Sequence, residues 1–418
     1  MIQPVAIQNF ELSGEPILSI FSLGNNQAYV YLREVNGEIL TFQTSGTENI
    51  VDRQTGSVWN ISNGVAMQGQ YKDSVLSLAK TSPSDIFPYH GATTFPFTWL
   101  AMWQRFDANL YVSIAENGYG KIAGDNHFPP LFPLLIRLFQ PLLGNAFLEG
   151  LLISHLATLY MLKLLCDVFI EWGGTILGKR ALLFFAIYPT FFFFFSAYSE
   201  PVFIVSVLLS LRSMKTRSWV WAGFWTFCSI LTRLQGAALL VPMIFLMRSD
   251  PPFLRRYAHW AGLILSGIGG LFYLYLRSID GTGKVIPIVE SEWQARLAPP
   301  GGSYLYAIRT IISGNATFID ILNFGIATIF LILIIVGWKK IPIEYNLYTV
   351  FNLLIISIRI VETQPLNSML RFSLTLFPAF FILGFAGENP ILRRVIIYTS
   401  ILLNLYLSGQ FFIWGWVA

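Results

Sequence analysis

Charged side chains are scarce in this chain. Asp, Glu, Lys and Arg make up 12% of its 418 residues, whereas 54% of the residues are hydrophobic and the mean hydropathy is +0.58. A soluble globular domain carries roughly 25% charged residues. So few polar side chains cannot coat a water-soluble body of this size, which excludes that class. The composition instead predicts a polytopic integral membrane protein.

Cysteine is also rare, and the chain shows no secretory leader. Cys166 and Cys228 both lie within apolar segments, so they are typical of small core residues and indicate no redox compartment. The first ten residues have neither a basic start nor an apolar core, and no signal peptide is predicted. The net charge of +4 arises from basic residues in short loops between apolar runs. Nucleic acid is therefore not an expected partner.

Residues 1–90 differ in kind from the rest and predict a small, solvent-facing, β-rich segment. Residues 28–33 have the composition of a strand, and Asn36-Gly37 is a hairpin turn signal. Residues 38–43 show the alternating, β-rich pattern of the strand that follows such a turn. Thr55-Gly56 predicts a turn and Trp59 a core anchor. No nucleophile or metal cluster is evident here, so a structural or binding role is expected.

The remainder alternates apolar runs with short polar loops. A helix needs ~20 residues to cross the hydrocarbon, with ~17 as a lower limit, so the second to fifth segments are short. Pro189, Pro201 and Pro242 lie in or beside them, where a broken helix can line a cavity. About ten spans are predicted, at residues 146–170, 181–197, 199–214, 219–234, 236–248, 258–276, 319–338, 344–361, 369–387 and 395–416.

The distribution of Lys and Arg predicts the orientation of these spans. Alternate loops are basic, which is typical of the cytoplasmic side: 179–180, 212–217, 248–256, 339–340 and 393–394. The segment 88–145 and the long loop 277–318 then face the other side. We expect the functional site on this non-cytoplasmic face.

One acidic motif stands ahead of the bundle. Asp107 lies among aromatic residues in WQRFDANLY, and the Pro-rich HFPPLFPLL follows at residues 127–135. A carboxylate at this face could act as a general base on an acceptor hydroxyl. The alternative is an aromatic belt at the membrane surface with an incidental Asp. The residues by themselves leave both interpretations open.

The run from Trp103 to Leu135 resembles the first outer loop of the PIG-V-type mannosyltransferases of the GT-C superfamily, whose pattern is W-x-R-W-D-A-x-x-Y-x-x-I-A-x-x-G-Y followed by F-F-P-x-Y-P-L. The similarity continues in order and covers about residues 97–415. Its later segments are YPTFFFFFSAYSEPVF (188–203), WAGFWTFCSILTRLQGAALLVP (221–242), EWQARLAPP (292–300) and SMLRFSLTLFPAF (368–380).

The resemblance implies a mainly α, GT-C-like transmembrane bundle and an inverting glycosyltransferase. Its donor would be a sugar, most often mannose, on a polyprenyl or dolichyl phosphate, and its acceptor a lipid or glycan hydroxyl. Asp107 is the implied base, with Arg359 a weaker candidate for the site. No cofactor and no metal site are assigned, since Asp125 and His127 give only two ligand types. The implied substrate-binding residues are Arg105, Tyr111, Glu200, Arg233, Gln235 and Arg371.

Arginine suits a phosphate because its planar guanidinium offers paired donors. An ionisable residue at membrane depth is a functional candidate by default. Each of these residues could equally be an interfacial anchor or part of a structural ion pair. The sequence also departs from the family pattern, with Phe106 where Trp is usual and His127-Phe128-Pro129-Pro130 where Phe-Phe-Pro-Leu is usual.

The beginning of the chain also departs from that family. Family members begin with a membrane span, whereas here the β-rich segment stands in its place. Residues 51–70, VDRQTGSVWNISNGVAMQGQ, resemble part of an exported prokaryotic family of unknown function with a D-R-x-T-G-S-x-W signature. This second resemblance favours the plasma membrane of a prokaryote as the location. The chain is expected to have three parts: a β-rich segment at 1–90, an outer loop with the Asp motif and an amphipathic helix at 91–145, and the transmembrane bundle at 146–418. A transporter or lipid flippase, or an inactive fusion or truncated product, are the alternatives.

Overall fold

The computed structural model describes residues 5–12, 15–22, 27–61, 63–77, 98–121, 124–250, 256–278, 295–361, 365–413, 415 and 417. The chain forms two compact units, residues 1–87 and residues 88–418. The first consists of strands and the second mainly of helices.

The described residues of the first unit form three antiparallel sheets. Strands β1 (Val5–Leu12), β2 (Glu15–Ser22) and β3 (Gln27–Leu32) form one sheet in that order. Strands β4 (Glu34–Val35) and β5 (Glu38–Ile39) form a hairpin. Strands β6 (Phe42–Ser45), β7 (Asn49–Asp52), β8 (Val58–Asn60) and β9 (Ala66–Gln68) form the third sheet. The predicted β-rich segment is confirmed.

The hairpin between β4 and β5 turns where the sequence predicts it. Asn36 and Gly37 both have positive φ, at 53° and 84°. Two successive left-handed residues make the type I′ turn that matches the twist of paired strands. The Asn-Gly prediction is therefore confirmed.

The D-R-x-T-G-S-x-W signature folds around a buried carboxylate. Asp52 accepts hydrogen bonds from the Thr55 amide at 2.6 Å, the Ser57 amide at 3.1 Å and the Trp59 indole Nε1 at 3.0 Å. The Trp59 ring is fully buried beside Phe42 and Tyr71. These contacts join β7 to β8 and make the signature a structural element of the sheet.

The second unit is a bundle of helices in chain order. They are α1 (Asp107–Asn117), α2 (Leu131–Leu143), α3 (Ala146–Ala186), α4 (Glu200–Lys215), α5 (Trp219–Ile230), α6 (Leu240–Arg248), α7 (Tyr257–Arg277), α8 (Gly302–Ile312), α9 (Phe318–Gly337), α10 (Ile343–Ser357), α11 (Met369–Phe372), α12 (Pro378–Ala386) and α13 (Pro390–Phe412). Strands β10 (Ala295–Leu297) and β11 (Arg359–Val361) pair antiparallel. Short 3-10 turns lie at Thr98–Trp103, Asp125–His127, Phe191–Phe195, Leu234–Leu239 and Ser373–Leu376.

Helix boundaries in the bundle follow capping chemistry. The Asn145 side chain accepts from the Leu148 amide and begins α3. Thr317 and Asp320 cap α9 reciprocally, and Asn389 followed by Pro390 begins α13. These side chains satisfy amides that have no partner within the helix.

Within the described ranges, four helices are long and apolar enough to cross a membrane: α3, α7, α9 and α13. The pair formed by Met369–Leu376 and Pro378–Ala386, bent by 89°, makes a fifth if it is one broken span. The chain is thus a multi-pass membrane protein. The other apolar segments of the described part are shorter or broken. In these segments the structure differs from the boundaries of the ten predicted spans.

Two of those boundaries differ for identifiable reasons. The predicted spans 146–170 and 181–197 meet in α3, which is broken only at Gly174 (φ 77°), so Lys179 and Arg180 lie in a helix and not in a loop. The end of predicted span 344–361 is β11, because the backbone after Ser357 leaves the helix and pairs with β10. The predicted loop 277–318 contains β10 and α8, while its residues 279–294 lie outside the described part.

The outer surface of the bundle is apolar. Large side chains on α7, α9 and α13 are more than half exposed, including Leu271, Ile335 and Leu402. Polar and charged side chains lie inside, among them Glu200, Arg233 and Arg371. A surface of this kind is suited to lipid, and the ionisable groups that it encloses mark the candidate site.

Candidate functional site

Asp107 is the first residue of α1, and a strained residue positions it. Phe106, directly before it, has φ 49° and ψ −118°, a conformation that side-chain-bearing residues seldom adopt. The Phe106 ring is buried and packs against Phe411 at 5.8 Å between ring centroids. Such strain persists where packing overdetermines it and is frequent at functional sites. The packing therefore fixes the direction in which the Asp107 carboxylate points.

The partner of Asp107 is Arg371, on the short helix α11. Arg371 Nη1 donates to Asp107 Oδ2 at 2.7 Å, and both side chains are largely buried. The Arg371 guanidinium carbon lies 5.4 Å from the ring centroids of Phe193, Tyr198 and Phe372. The aromatic faces hold the cation where cation–π attraction adds to the ion pair.

A second carboxylate, Glu200, lies between two arginines. Arg233 Nη2 donates to Glu200 Oε1 at 2.5 Å, and Arg371 Nε lies 3.3 Å from the same oxygen. The Arg371 contact has ion-pair distance but not hydrogen-bond geometry. Among the described residues, the buried Glu200 Oε2 has no hydrogen-bond partner. Glu200 opens α4, where the helix dipole favours a negative charge.

Tyr111 and Ser199 complete this network from α1 and the turn before α4. The Tyr111 hydroxyl and Ser199 Oγ lie 2.7 Å apart, and Arg233 Nε donates to Ser199 Oγ at 3.2 Å. Burial raises the pKa of the Tyr111 hydroxyl, so it stays protonated and can donate. We call this set the charged network. It contains two carboxylates and two guanidinium groups, and its members are Asp107, Glu200, Arg233 and Arg371 with Tyr111 and Ser199.

The structure thus brings together five of the seven residues assigned to the site from sequence: Asp107, Tyr111, Glu200, Arg233 and Arg371. Arg105 lies apart, because its Nε donates to the Phe412 carbonyl at 3.1 Å. Burial lowers the pKa of Arg105 to about 10, and the side chain remains cationic at neutral pH. Gln235 is half-buried in the 3-10 turn after Arg233, with no hydrogen bond to the network within the described ranges.

Sequence reasoning missed Ser199, Tyr198 and Phe193. All three lie in the matched stretch 188–203. Their contacts with the charged network depend on the turn before α4, which places Ser199 between Tyr111 and Arg233. A buried Tyr198 hydroxyl also donates to the Arg105 carbonyl at 3.3 Å.

The region around Asp125 and His127 is a separate feature. Asp125 Oδ2 accepts from the Gly120 and Lys121 amides at 2.6 and 3.1 Å, which closes the loop after α1. Burial, together with the charges of Arg277 and Arg359, lowers the pKa of His127 to about 3. No group of three His, Cys, Asp or Glu side chains that could hold a metal ion occurs in the described ranges.

This chain is similar to known proteins in structure and not in sequence. No protein-family model and no curated protein matches the sequence. The solved structures that are similar include ArnT from Cupriavidus metallidurans bound to undecaprenyl phosphate and the same protein in the apo state. The identity is 16% for both, with TM-scores of 0.44 and 0.42. The alignments cover 71% and 69% of this chain but only 56% and 57% of ArnT, so the chain spans little more than half of that protein's length.

Proposed function

We propose that this protein is a membrane glycosyltransferase that transfers a sugar, mannose in the first instance, from a polyprenyl or dolichyl phosphate to an acceptor hydroxyl on the non-cytoplasmic face. The observation that supports this most is the ion pair between Asp107 and Arg371 at the edge of the buried charged network. Two acids and two arginines are costly to bury, and structural packing alone would favour apolar residues in their place. The surrounding motifs resemble those of PIG-V-type mannosyltransferases, and this resemblance is the reason for proposing glycosyl transfer.

Asp107 is the proposed general base. Its Oδ2 is held by Arg371, while Oδ1 makes no hydrogen bond with any described residue. Oδ1 takes the proton from the acceptor hydroxyl as the acceptor oxygen attacks the anomeric carbon of the sugar. The bond from that carbon to the phosphate oxygen breaks, and the polyprenyl phosphate leaves with the electron pair. Attack opposite the leaving group inverts the anomeric configuration.

Arg233 and Arg371 are proposed to bind the donor phosphate. Arg233 is paired with Glu200, and Arg371 is paired with both Asp107 and Glu200. Arg233 Nη1 and Arg371 Nη2 make no hydrogen bond among the described residues. These nitrogens can donate to phosphate oxygens, where a guanidinium forms strong charge-assisted bonds. Glu200 then fixes the spacing of the two arginines, and Tyr111 holds Ser199 against Arg233. Gln235 remains a candidate for a sugar hydroxyl.

The proposal is tested with radiolabelled polyprenyl-phosphate-mannose and the matching glucose donor, presented to membranes that contain the full chain. A glycosyltransferase incorporates label into lipid or protein and releases polyprenyl phosphate in equal amount. A flippase would move the donor across the bilayer without cleaving it. Movement of intact donor with no released polyprenyl phosphate would overturn the proposal.

A further inference from the structure

The backbone that carries Arg371 has little local structure to hold it in place. Helix α11 is only four residues long, and an isolated helix shorter than ~12 residues is marginal. Leu366 and Ser368, just before it, have φ of 54° and 62°, in the left-handed region that residues with side chains seldom adopt. The direction of the Arg371 side chain must therefore be set by contacts from other elements.

Side chains from two other elements bind both peptide groups of Leu370, the residue directly before Arg371. Asn323 Oδ1, on α9, accepts a hydrogen bond from the Leu370 amide at 2.9 Å. That amide lies in the first turn of α11, where an N–H group has no acceptor within the helix. Thr190 Oγ1 donates to the Leu370 carbonyl at 2.8 Å. All of these side chains are buried, so each bond is made away from water.

A further hydrogen bond reaches the same carbonyl through Ser373. Ser373 Oγ donates to the Leu370 carbonyl at 2.9 Å, and the Tyr188 hydroxyl lies 2.7 Å from Ser373 Oγ. Because the Ser373 proton is directed at the carbonyl, the Tyr188 hydroxyl is the donor to Ser373. We call the four side chains that converge on this peptide the Leu370 clamp: Tyr188, Thr190, Asn323 and Ser373.

The clamp is held in turn by the last helix. Asn404 Nδ2, on α13, donates to the Tyr188 and Pro189 carbonyls at 3.3 and 3.2 Å. Tyr188, Pro189 and Thr190 begin the stretch YPTFFFFFSAYSEPVF (188–203), and Arg371 lies in SMLRFSLTLFPAF (368–380). Hydrogen bonds around a single peptide therefore join two of the motifs that the sequence displays. The charged network itself gives no reason for the Tyr-Pro-Thr tripeptide, whereas the clamp does.

We propose that the Leu370 clamp positions Arg371 within the charged network. Arg371 Nη1 lies 2.7 Å from Asp107 Oδ2, and Arg371 Nε lies 3.3 Å from Glu200 Oε1. A shift of roughly 1 Å in the supporting backbone is enough to disturb such a geometry, and a misplacement of that size can cost a large factor in rate. The clamp residues are positioning residues, because they act through Arg371. The consequence for donor binding rests on the proposed function.

A double-mutant cycle on thermal stability tests the clamp without requiring turnover. Thr190→Val removes the hydroxyl and keeps the shape of the side chain, and it is introduced into the wild-type chain and into Asp107→Asn, in which the ion pair is weakened. Sites in one hydrogen-bond network are coupled, whereas independent sites are additive. Thr226→Val is the matched control, because Thr226 is equally buried and its Oγ1 lies 2.9 Å from Ser210 Oγ between α4 and α5.

We expect Thr190→Val to lower the melting temperature at least about twice as much in the wild-type chain as in Asp107→Asn, because only the wild type has the full ion pair to lose. Thr226→Val should lower it equally in both backgrounds. Thr190→Ser retains the hydroxyl and should restore most of the melting temperature. An equal effect of Thr190→Val in the two backgrounds would overturn the inference, since the bond would then only anchor the bent segment.

Transfer kinetics separate this inference from the proposed function. With radiolabelled polyprenyl-phosphate-mannose as donor, Thr190→Val should raise the donor KM by about fivefold or more with a smaller fall in kcat, since Arg371 is proposed to bind the donor phosphate. Thr190→Ser should restore the KM. Asn323→Leu leaves the Leu370 amide without its acceptor and should raise the KM as well. Far-ultraviolet circular dichroism and size-exclusion profiles establish that each variant is folded.

The two measurements fail in different ways. Coupling in the stability cycle without any transfer by the wild type would leave the clamp standing and reject the proposed function. Transfer with an unchanged donor KM in folded Thr190→Val and Asn323→Leu would reject the role of the clamp and leave the proposed function standing.

Discussion

Asp107 and Arg371 lie 264 residues apart in the chain, yet Asp107 Oδ2 and Arg371 Nη1 are 2.7 Å apart. The pair joins the first helix of the bundle to the short helix α11 and leads through Arg371 to Glu200 and Arg233. Because an exposed ion pair contributes little, the burial of this pair gives it its significance.

Arg371→Ala should abolish sugar transfer and destabilise the protein by about 3–5 kcal/mol, since it leaves Asp107 buried without a balancing charge and leaves Glu200 with Arg233 alone. Arg371→Lys keeps the charge but not the planar fork, so it should regain part of the stability and little of the activity. Thermal unfolding in detergent and transfer assays measure the two effects. Wild-type stability in Arg371→Ala would contradict the buried-pair interpretation.

Tyr111→Phe removes the hydrogen bond to Ser199 that positions Arg233. We expect a loss of about 0.5–1.5 kcal/mol in stability and a rise in donor KM larger than the fall in kcat. Tyr160→Phe, at an exposed site on α3, is the matched control. A fall in kcat with unchanged KM would place Tyr111 in the chemistry and not in donor positioning.

His127 should make the stability of the helical unit depend on pH. Burial lowers the pKa of His127 to about 3, whereas in the unfolded chain it is about 6.5. The unfolded state binds the proton more readily, so this contribution is complete above pH 6.5 and declines as the pH falls toward 3. His127→Gln should reduce the loss of melting temperature between pH 7 and pH 5, and an unchanged pH dependence in that variant would rule the residue out.

Asp52 should have a similar effect on the first unit in a lower range. Burial alone would raise its pKa, but hydrogen bonds from Trp59, Thr55 and Ser57 outweigh burial, and the pKa lies below its ordinary value. Its contribution to stability is complete above about pH 4 and is lost as the pH falls through the lowered folded pKa.

Hydrogen exchange of residues 49–60 in the full chain measures the Asp52 effect. Amide protection there should fall between pH 5 and pH 3 in the wild type and should change less in Asp52→Asn. Parallel curves for the two proteins would contradict it.

Much of the site could be predicted because its residues stand in recognisable local motifs. Asp107, Glu200, Arg233 and Arg371 each belong to a stretch with a family resemblance, and the fold brings them together. Arg105 illustrates the limit, since its position two residues before Asp107 gave no sign that its side chain would bond the end of α13. That contact depends on tertiary packing between segments 307 residues apart.

Segment boundaries were less predictable for a different reason. Hydropathy reports apolar composition, which cannot distinguish a continuous helix from 3-10 turns and bent pairs. The Phe191–Phe195 turn and the 89° bend between Met369–Leu376 and Pro378–Ala386 are as apolar as a span, yet they interrupt helices.

The central claim is that Asp107 takes the proton of the acceptor hydroxyl. Its most direct test compares Asp107→Asn with Glu116→Gln, an exposed acid on the same helix, in transfer from radiolabelled polyprenyl-phosphate-mannose by reconstituted protein. The account predicts that folded Asp107→Asn still binds polyprenyl phosphate but loses transfer by about 100-fold or more, while Glu116→Gln retains it. Transfer by Asp107→Asn at the rate of Glu116→Gln would contradict the account.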